Sequence, residues 1–174
     1  VTFAAAIAEA ERQENYYCIL DAKISLAWLA LQRTDLAGGG SLLDEIEPVL
    51  LADRHFGIHA GIKVARATLA HLGGAPPRQC EKDFESAIRF CLTHRITTWA
   101  SRACVGLGAA HWSHGAPGAA REAWARAIQL AGTISQAREE LTQALIDRAQ
   151  AGPENPMPIA TGSTPGAGAL DPQG

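Results

Sequence analysis

Four bulky apolar residues, Phe3, Leu43, Phe84 and Trp124, recur along the chain at steps of 40, 41 and 40, and three of them open the same phrase. The phrase reads Phe3-x-x-Ala6-Ile7, Phe84-x-x-Ala87-Ile88 and Trp124-x-x-Ala127-Ile128, with a worn copy at Leu43-x-x-Ile46-Glu47. Between copies lie a second apolar stretch, spaced at three and four residues, and a turn signal, so each unit reads as a helical hairpin. Repetition at a few tens of residues marks hairpins stacked in a row, because each unit can bury its apolar stripe only against its neighbours.

The pattern predicts a helix over residues 15 to 33, with Ile19, Ala22, Leu26, Leu29 and Ala30 on one stripe. Its expected stop is Asp35 to Gly40, where three glycines adopt a helix-ending conformation at little steric cost. Ser41 is the expected cap of the next helix, which has Asp44 and Glu45 in its first turn and runs to about Asp53 with a kink at Pro48. Further helices are expected over about 56–72, 78–94, 99–114, 118–131 and 135–150. Gly73-Gly74, Pro76-Pro77, a Thr97-Thr98 cap, and Gly115 with Pro117 punctuate them. In the 99–114 helix Ala103, Leu107, Ala110 and either Trp112 or Ser113 compete for the inner side. The last helix turns Ala137, Leu141, Ala144 and Leu145 inward and Arg138, Glu139, Glu140, Asp147 and Arg148 outward. From Gly152 the chain shifts to Pro, Gly, Ser, Thr and Ala without periodic bulk, too little to offset the entropy of ordering. The expected organisation is a repeat domain over 1–151 and a disordered Pro/Gly-rich tail over 152–174.

Composition agrees with helix. Alanine and leucine dominate and aromatics make up only 6%, so intrinsic preference points to an all-α fold. The 15 basic and 18 acidic residues, net −3, are dispersed in both signs and offer no basic stripe for phosphate contacts, which argues against direct nucleic-acid binding. No apolar run reaches the ~18 to 20 residues of a membrane span, and the N-terminal residues lack the pattern of a secretion signal. Cys18, Cys80, Cys91 and Cys104 never form Cys-x-x-Cys and sit at helical spacing among apolar neighbours, as small buried hydrophobes of a reducing compartment do. A cytoplasmic location is therefore expected. The chain opens on Val1 with Phe3 to Ala10 already reading as the second helix of a hairpin, which suggests a piece of a longer protein.

The stretch Ser101 to Ile134 resembles the tetratricopeptide repeat. Leu107-Gly108, Ala120, Trp124 and Ala127 stand at that family's spacings, with Gly108 and Ala120 as close-approach points and Trp124 expected to fill the gap to the next hairpin. Residues 61 to 94 keep Cys80, Phe84 and Ala87 but carry Arg66-Ala67 where the family has Leu-Gly, and residues 20 to 53 keep Leu26-Ala27, Gly39 and Leu43. A step near 40 exceeds the typical 34 of that family. It is more similar to the longer hairpins of large bacterial LuxR-type and adenylate-cyclase-associated ATPase regulators, where they form a C-terminal sensor or docking superhelix. The fold this resemblance implies is a right-handed α-solenoid of antiparallel helix hairpins, with a period of about 40 residues and seven or eight helices.

The resemblance also implies that the first helix of each hairpin lines a concave groove. The corresponding positions are Asp21, Ile24, Trp28 and Leu31, then Gly61, Val64, Thr68 and His71, then Arg102, Val105, Ala109 and Trp112. The carboxylate clamp of chaperone-binding members needs Lys, Asn and Arg there, and only Arg102 is of the right type. Trp and Arg dominate interface energetics when desolvated, yet Trp28 and Trp112 at helical spacing equally suit the core.

Candidate chemistry is sparse. His55 with His59 and His111 with His114 each put two imidazoles on one helix face, but no Cys or carboxylate completes a ligand frame, and His111 and His114 suit a helix C-terminus. Gly38-Gly39-Gly40-Ser41 lacks the Lys and the preceding strand of a phosphate loop. Glu45 with Glu47, Glu81 with Glu85, and Glu139 with Glu140 are spaced as solvated faces, and no cysteine has a partner histidine in a recognisable motif. No catalytic residue, cofactor or metal is assigned. The expected function is a scaffold that binds a protein or peptide segment in its concave groove, as a module of a larger regulatory protein. The alternative is a small-molecule-sensing domain of an ATP-dependent transcriptional regulator.

Overall fold

A computed structural model of the chain describes residues 8, 9, 12, 16–50 and 55–151. The Phe3 phrase and the 152–174 segment lie outside the described residues. Seven helices are delimited: α1 (Tyr16–Gln32), α2 (Leu36–Leu50), α3 (Phe56–Leu72), α4 (Pro77–Thr93), α5 (Thr97–Ser113), α6 (Pro117–Gly132) and α7 (Gln136–Ala151). No strand occurs among the described residues. The protein is all-α, as propensity and patterning demand.

The helices form two layers. α1, α3, α5 and α7 lie side by side in that order, while α2, α4 and α6 each touch only their two chain neighbours among the described residues. Within the first layer α3 and α5 thus have neighbours on both flanks. α3 shows what that requires: it buries Ile58, Ala60, Gly61, Ile62, Val64, Ala65, Ala67 and Thr68, more of its circumference than a single stripe.

Small residues set the spacing between elements. A Cβ on Gly108 would fall 2.2 Å from Trp124 Nε1, and one on Gly106 would fall 2.4 Å from Phe84 Cε1. Each large ring therefore lies directly on a glycine of α5, from α6 in the first case and from α4 in the second. Trp124 stays within its own hairpin, where its indole N–H donates to Val105 O at 3.2 Å. It is Phe84 that reaches from one hairpin to the next, so the gap-filling role expected of Trp124 belongs to Phe84. Gly61 is a third such point, its missing Cβ facing Ile24 and Trp99 at 2.9 Å.

Four local expectations are corrected. Gly38, Gly39 and Gly40 do not stop a helix; they form the first turns of α2, and Gly39 is buried against Leu31. The cap is Asp35, not Ser41: its Oδ1 accepts the Gly38 N–H at 2.8 Å, the side-chain geometry that satisfies an orphan donor of the first turn. Asp35→Ala should cost about 1 kcal/mol, read as a lower midpoint in urea unfolding. Thr97 and Thr98 lie inside α5 and provide no side-chain cap at its start. Asp44, assigned to the helix dipole, instead joins Glu47 in gripping the Arg66 guanidinium at 2.6 Å each.

Two buried faces also differ from the expected stripes. α1 buries Leu20, Ile24, Ala27 and Leu31, whereas Leu29 is exposed. α7 buries Thr142 and Ile146, whereas Ala137, Leu141 and Ala144 are exposed. The polar Thr142 is tolerated inside because its hydroxyl donates to Arg138 O at 2.8 Å and lies 3.5 Å from that of Ser101, which donates to Ala127 O.

Candidate functional site

The four helices of the first layer line a half-open cavity of about 420 Å³. The C-terminal halves of α1, α3 and α7 and most of α5 contribute to it, so its lining has the periodicity of four separate helices. Trp28 and Leu31 come from α1, Thr68 and His71 from α3, and Arg102, Val105, Ala109 and Trp112 from α5. These are groove positions read from the sequence, gathered into one space from segments some forty residues apart.

Four of the expected groove positions fall elsewhere. Ile24 and Val64 belong to the core, 1% and 0% exposed, and Asp21 is exposed on α1 away from the cavity. Both aliphatic residues point to close helix neighbours, because a layer whose members touch one another turns only part of each helix toward open space. Gly61 is likewise consumed by packing.

The remaining walls were not anticipated. Phe84 enters from α4 through the opening over Gly106, and Leu145, Arg148 and Ala149 come from α7. Arg148, expected on the wet face, is half-buried: it donates through Nη2 to Gln32 O at 2.6 Å and through Nη1 to Gln32 Oε1 at 3.4 Å. A guanidinium on the last turn of α1 satisfies a carbonyl that has no intrahelical partner and opposes the negative end of the helix dipole. This bond joins the last described helix to the first and closes the cavity on one side. Only the 116-residue separation hid it.

The tryptophans are neither plain core nor plain surface. Trp28 is half-buried and meets Trp99 edge to face, ring centroids 6.0 Å apart. Trp112 is 39% exposed at the rim, 5.7 Å from Trp124. Between Trp28 and Trp99 lies the Arg102 guanidinium, 5.5 and 4.6 Å from the two ring centroids, a cation held by π faces. Among the described residues Arg102 makes no ion pair. Burial lowers its pKa, Arg138 adds repulsion and Asp21 partly offsets both.

His71 is the other titratable group of the wall. Its Nδ1 is buried without a hydrogen-bond partner, and its ring lies edge-on to Phe84 and to His114, at 6.5 and 6.2 Å. Burial first and the neighbouring His114 second lower its pKa, so the wall presents a neutral imidazole at neutral pH. Thr68 is occupied locally, donating to Val64 O at 2.9 Å.

The other candidate chemistry stays apart from the cavity. His55 and His59 lie at the start of α3, and no group of three metal-ligating side chains occurs among the described residues. His111 and His114 sit in the last turn and at the C-cap of α5. Cys80, Cys91 and Cys104 are buried as expected, but Cys18 is exposed. Burial pushes the Cys91 thiol up to about 11 and that of Cys104 up to about 12, so neither is a thiolate at neutral pH. An aromatic disulfide reagent at pH 8 should therefore titrate Cys18 first and leave the other three untouched until the chain is unfolded, as followed by absorbance of the released thiol.

No helix of the described residues is long and apolar enough to cross a membrane. No family model, curated protein or solved structure matches the chain.

Proposed function

We propose that the chain is a non-catalytic ligand-binding domain, built as a right-handed tetratricopeptide-like α-solenoid whose concave face is the four-helix cavity. The helices of the inner layer begin at Tyr16, Phe56, Thr97 and Gln136, a spacing that supports a step near 40 residues. The layering, with one set of helices meeting along the inside and the other set outside, supports the same reading. The observation that carries a binding role is the convergence of eight expected groove positions on one cavity, mostly apolar with a few polar groups, of a size within the ~300 to 1,000 Å³ range of small-molecule sites.

The size of the cavity and its mostly apolar lining favour a small molecule. The Arg148 to Gln32 bond ties α7 to α1 along one edge of the cavity. A regulatory setting, as sensor within a larger ATP-dependent regulator, rests on the resemblance of the repeats, and a nucleotide-binding domain encoded upstream would support it. Docking of a protein partner is the second reading, favoured by the exposed edge of Trp112 and by Leu72 at the same rim.

Ala109→Phe tests the binding reading. Ala109 is half-buried on the wall, and a ring there fills the space without disturbing a core contact. A metabolite set screened by thermal shift should contain compounds that raise the melting temperature of the wild type and leave Ala109→Phe unmoved. Equal shifts in both proteins would place binding elsewhere and end this reading.

A further inference from the structure

The charge of the cavity wall is one-sided. It carries two guanidiniums, Arg102 and Arg148, and no carboxylate. Arg148 is engaged with the main chain and side chain of Gln32. Arg102 is not engaged: its five N–H donors have no hydrogen-bond acceptor among the described residues, and its only close partners are the faces of Trp28 and Trp99. Asp21 acts on it through space without forming an ion pair, and Arg138 repels it. Buried charges are normally paired and hydrogen-bonded, because an unpaired one forfeits its hydration without return. π faces recover part of that loss but accept no planar, two-pronged hydrogen bond.

Resting on the binding reading above, the geometry points to a small amphipathic acid as the ligand of this cavity: an apolar, ring-sized body lying against Trp28 and Trp112, with a single carboxylate accepting from Arg102. The apolar wall fixes the body and the guanidinium fixes the head, the division of labour usual in small-molecule sites. A carboxylate matches the guanidinium fork in two parallel hydrogen bonds and supplies the acceptor that the protein lacks. A neutral ligand of the same shape would cover Arg102, which is half-exposed in the open cavity, without giving it an acceptor.

A pair of fluorescent probes tests this directly: 8-anilino-1-naphthalenesulfonate, which has an aromatic body and one anionic head, and N-phenyl-1-naphthylamine, the same rings without the head. The sulfonate should bind the wild type at least about ten-fold more tightly than the neutral probe, the scale of one charge-assisted hydrogen bond. Arg102→Gln should abolish that preference, weakening the sulfonate by about ten-fold and the neutral probe by less than about two-fold, with Arg102→Lys in between. Naphthalene-1-acetate should displace the sulfonate and naphthalene-1-acetamide should not. Circular dichroism melts establish that each variant is folded, and Arg102→Lys carries the test alone should Arg102→Gln not fold.

Equal affinity for the two probes, or a preference that survives Arg102→Gln, overturns the acid while leaving the binding cavity standing. Displacement by an apolar peptide with a free C-terminus but not by naphthalene-1-acetate overturns the small acid in favour of a protein terminus. Sulfonate binding that persists in Ala109→Phe overturns both the acid and the binding reading, because the probe is then held outside the cavity.

Discussion

Trp124→Ala should destabilise the chain by about 3 to 5 kcal/mol, the range for deleting a buried large aromatic, lowering the melting temperature by roughly 2 to 4 °C for each kcal/mol at this length. The side chain is only 3% exposed and its ring covers Gly108. Its indole N–H also donates to Val105 O, so the deletion removes packing and a hydrogen bond together. Gly108 is the complementary half of the contact. With 2.2 Å between its absent Cβ and Trp124 Nε1, Gly108→Ala should cost about 1 to 3 kcal/mol in the wild type through overpacking. In the Trp124→Ala background the obstruction is gone, and the same change should stabilise by up to about 1 kcal/mol because alanine is the better helix former. A double-mutant cycle in urea reads this reversal of sign. A neutral Gly108→Ala in the wild type would show that the ring does not rest on that glycine.

Phe84→Ala carries a comparable loss, also about 3 to 5 kcal/mol, with a second consequence that Trp124→Ala does not share. Phe84 is 0% exposed, seated on Gly106, and forms part of the cavity wall. Its removal enlarges the cavity beneath the surfaces of Trp28 and Trp112 against which a ligand body would lie. The variant should lose both melting temperature and affinity for the neutral naphthylamine probe. Ala109→Phe, by contrast, should lose affinity with its melting temperature nearly unchanged. Thermal melts and probe titrations on the two variants separate the contribution of a wall to folding from its contribution to binding. Retained probe affinity in Phe84→Ala would show that the binding surface does not rest on Phe84.

Much of the architecture was legible in residue order. The boundaries of α3 coincide with expectation to the residue, and those of α4, α6 and α7 to within one, because Gly74, Pro77, Gly115 and Pro117 act through local backbone rules: positive φ at the two glycines and a preset φ at the first helical position for the two prolines. The start of α2 was misread for an equally local reason. Glycines both end helices and allow them to touch, and Gly39 against Leu31 serves the second purpose. Eight of the twelve groove positions line the cavity, because residues three or four apart on one helix share a face. Arg148 and Leu145 escaped notice because α7 was read as a terminal helix with a wet face, and nothing near position 148 signals that Gln32 lies beside it.

Spacing, propensity and punctuation determined, without any coordinates, that this protein is helical and how most of its helices are delimited. Those properties depend on neighbours within a few residues, where backbone sterics and helical periodicity act. Which face of α1 is buried, which ring fills which gap and where Arg148 reaches were decided only by tertiary structure. α1 is apolar on more than one side, so local pattern leaves several stripes equivalent until Gly39 and Gly61 admit close neighbours against one of them. The cavity has the same origin: it is the space left where four helices meet at distances set by their smallest residues, and no single segment contains it.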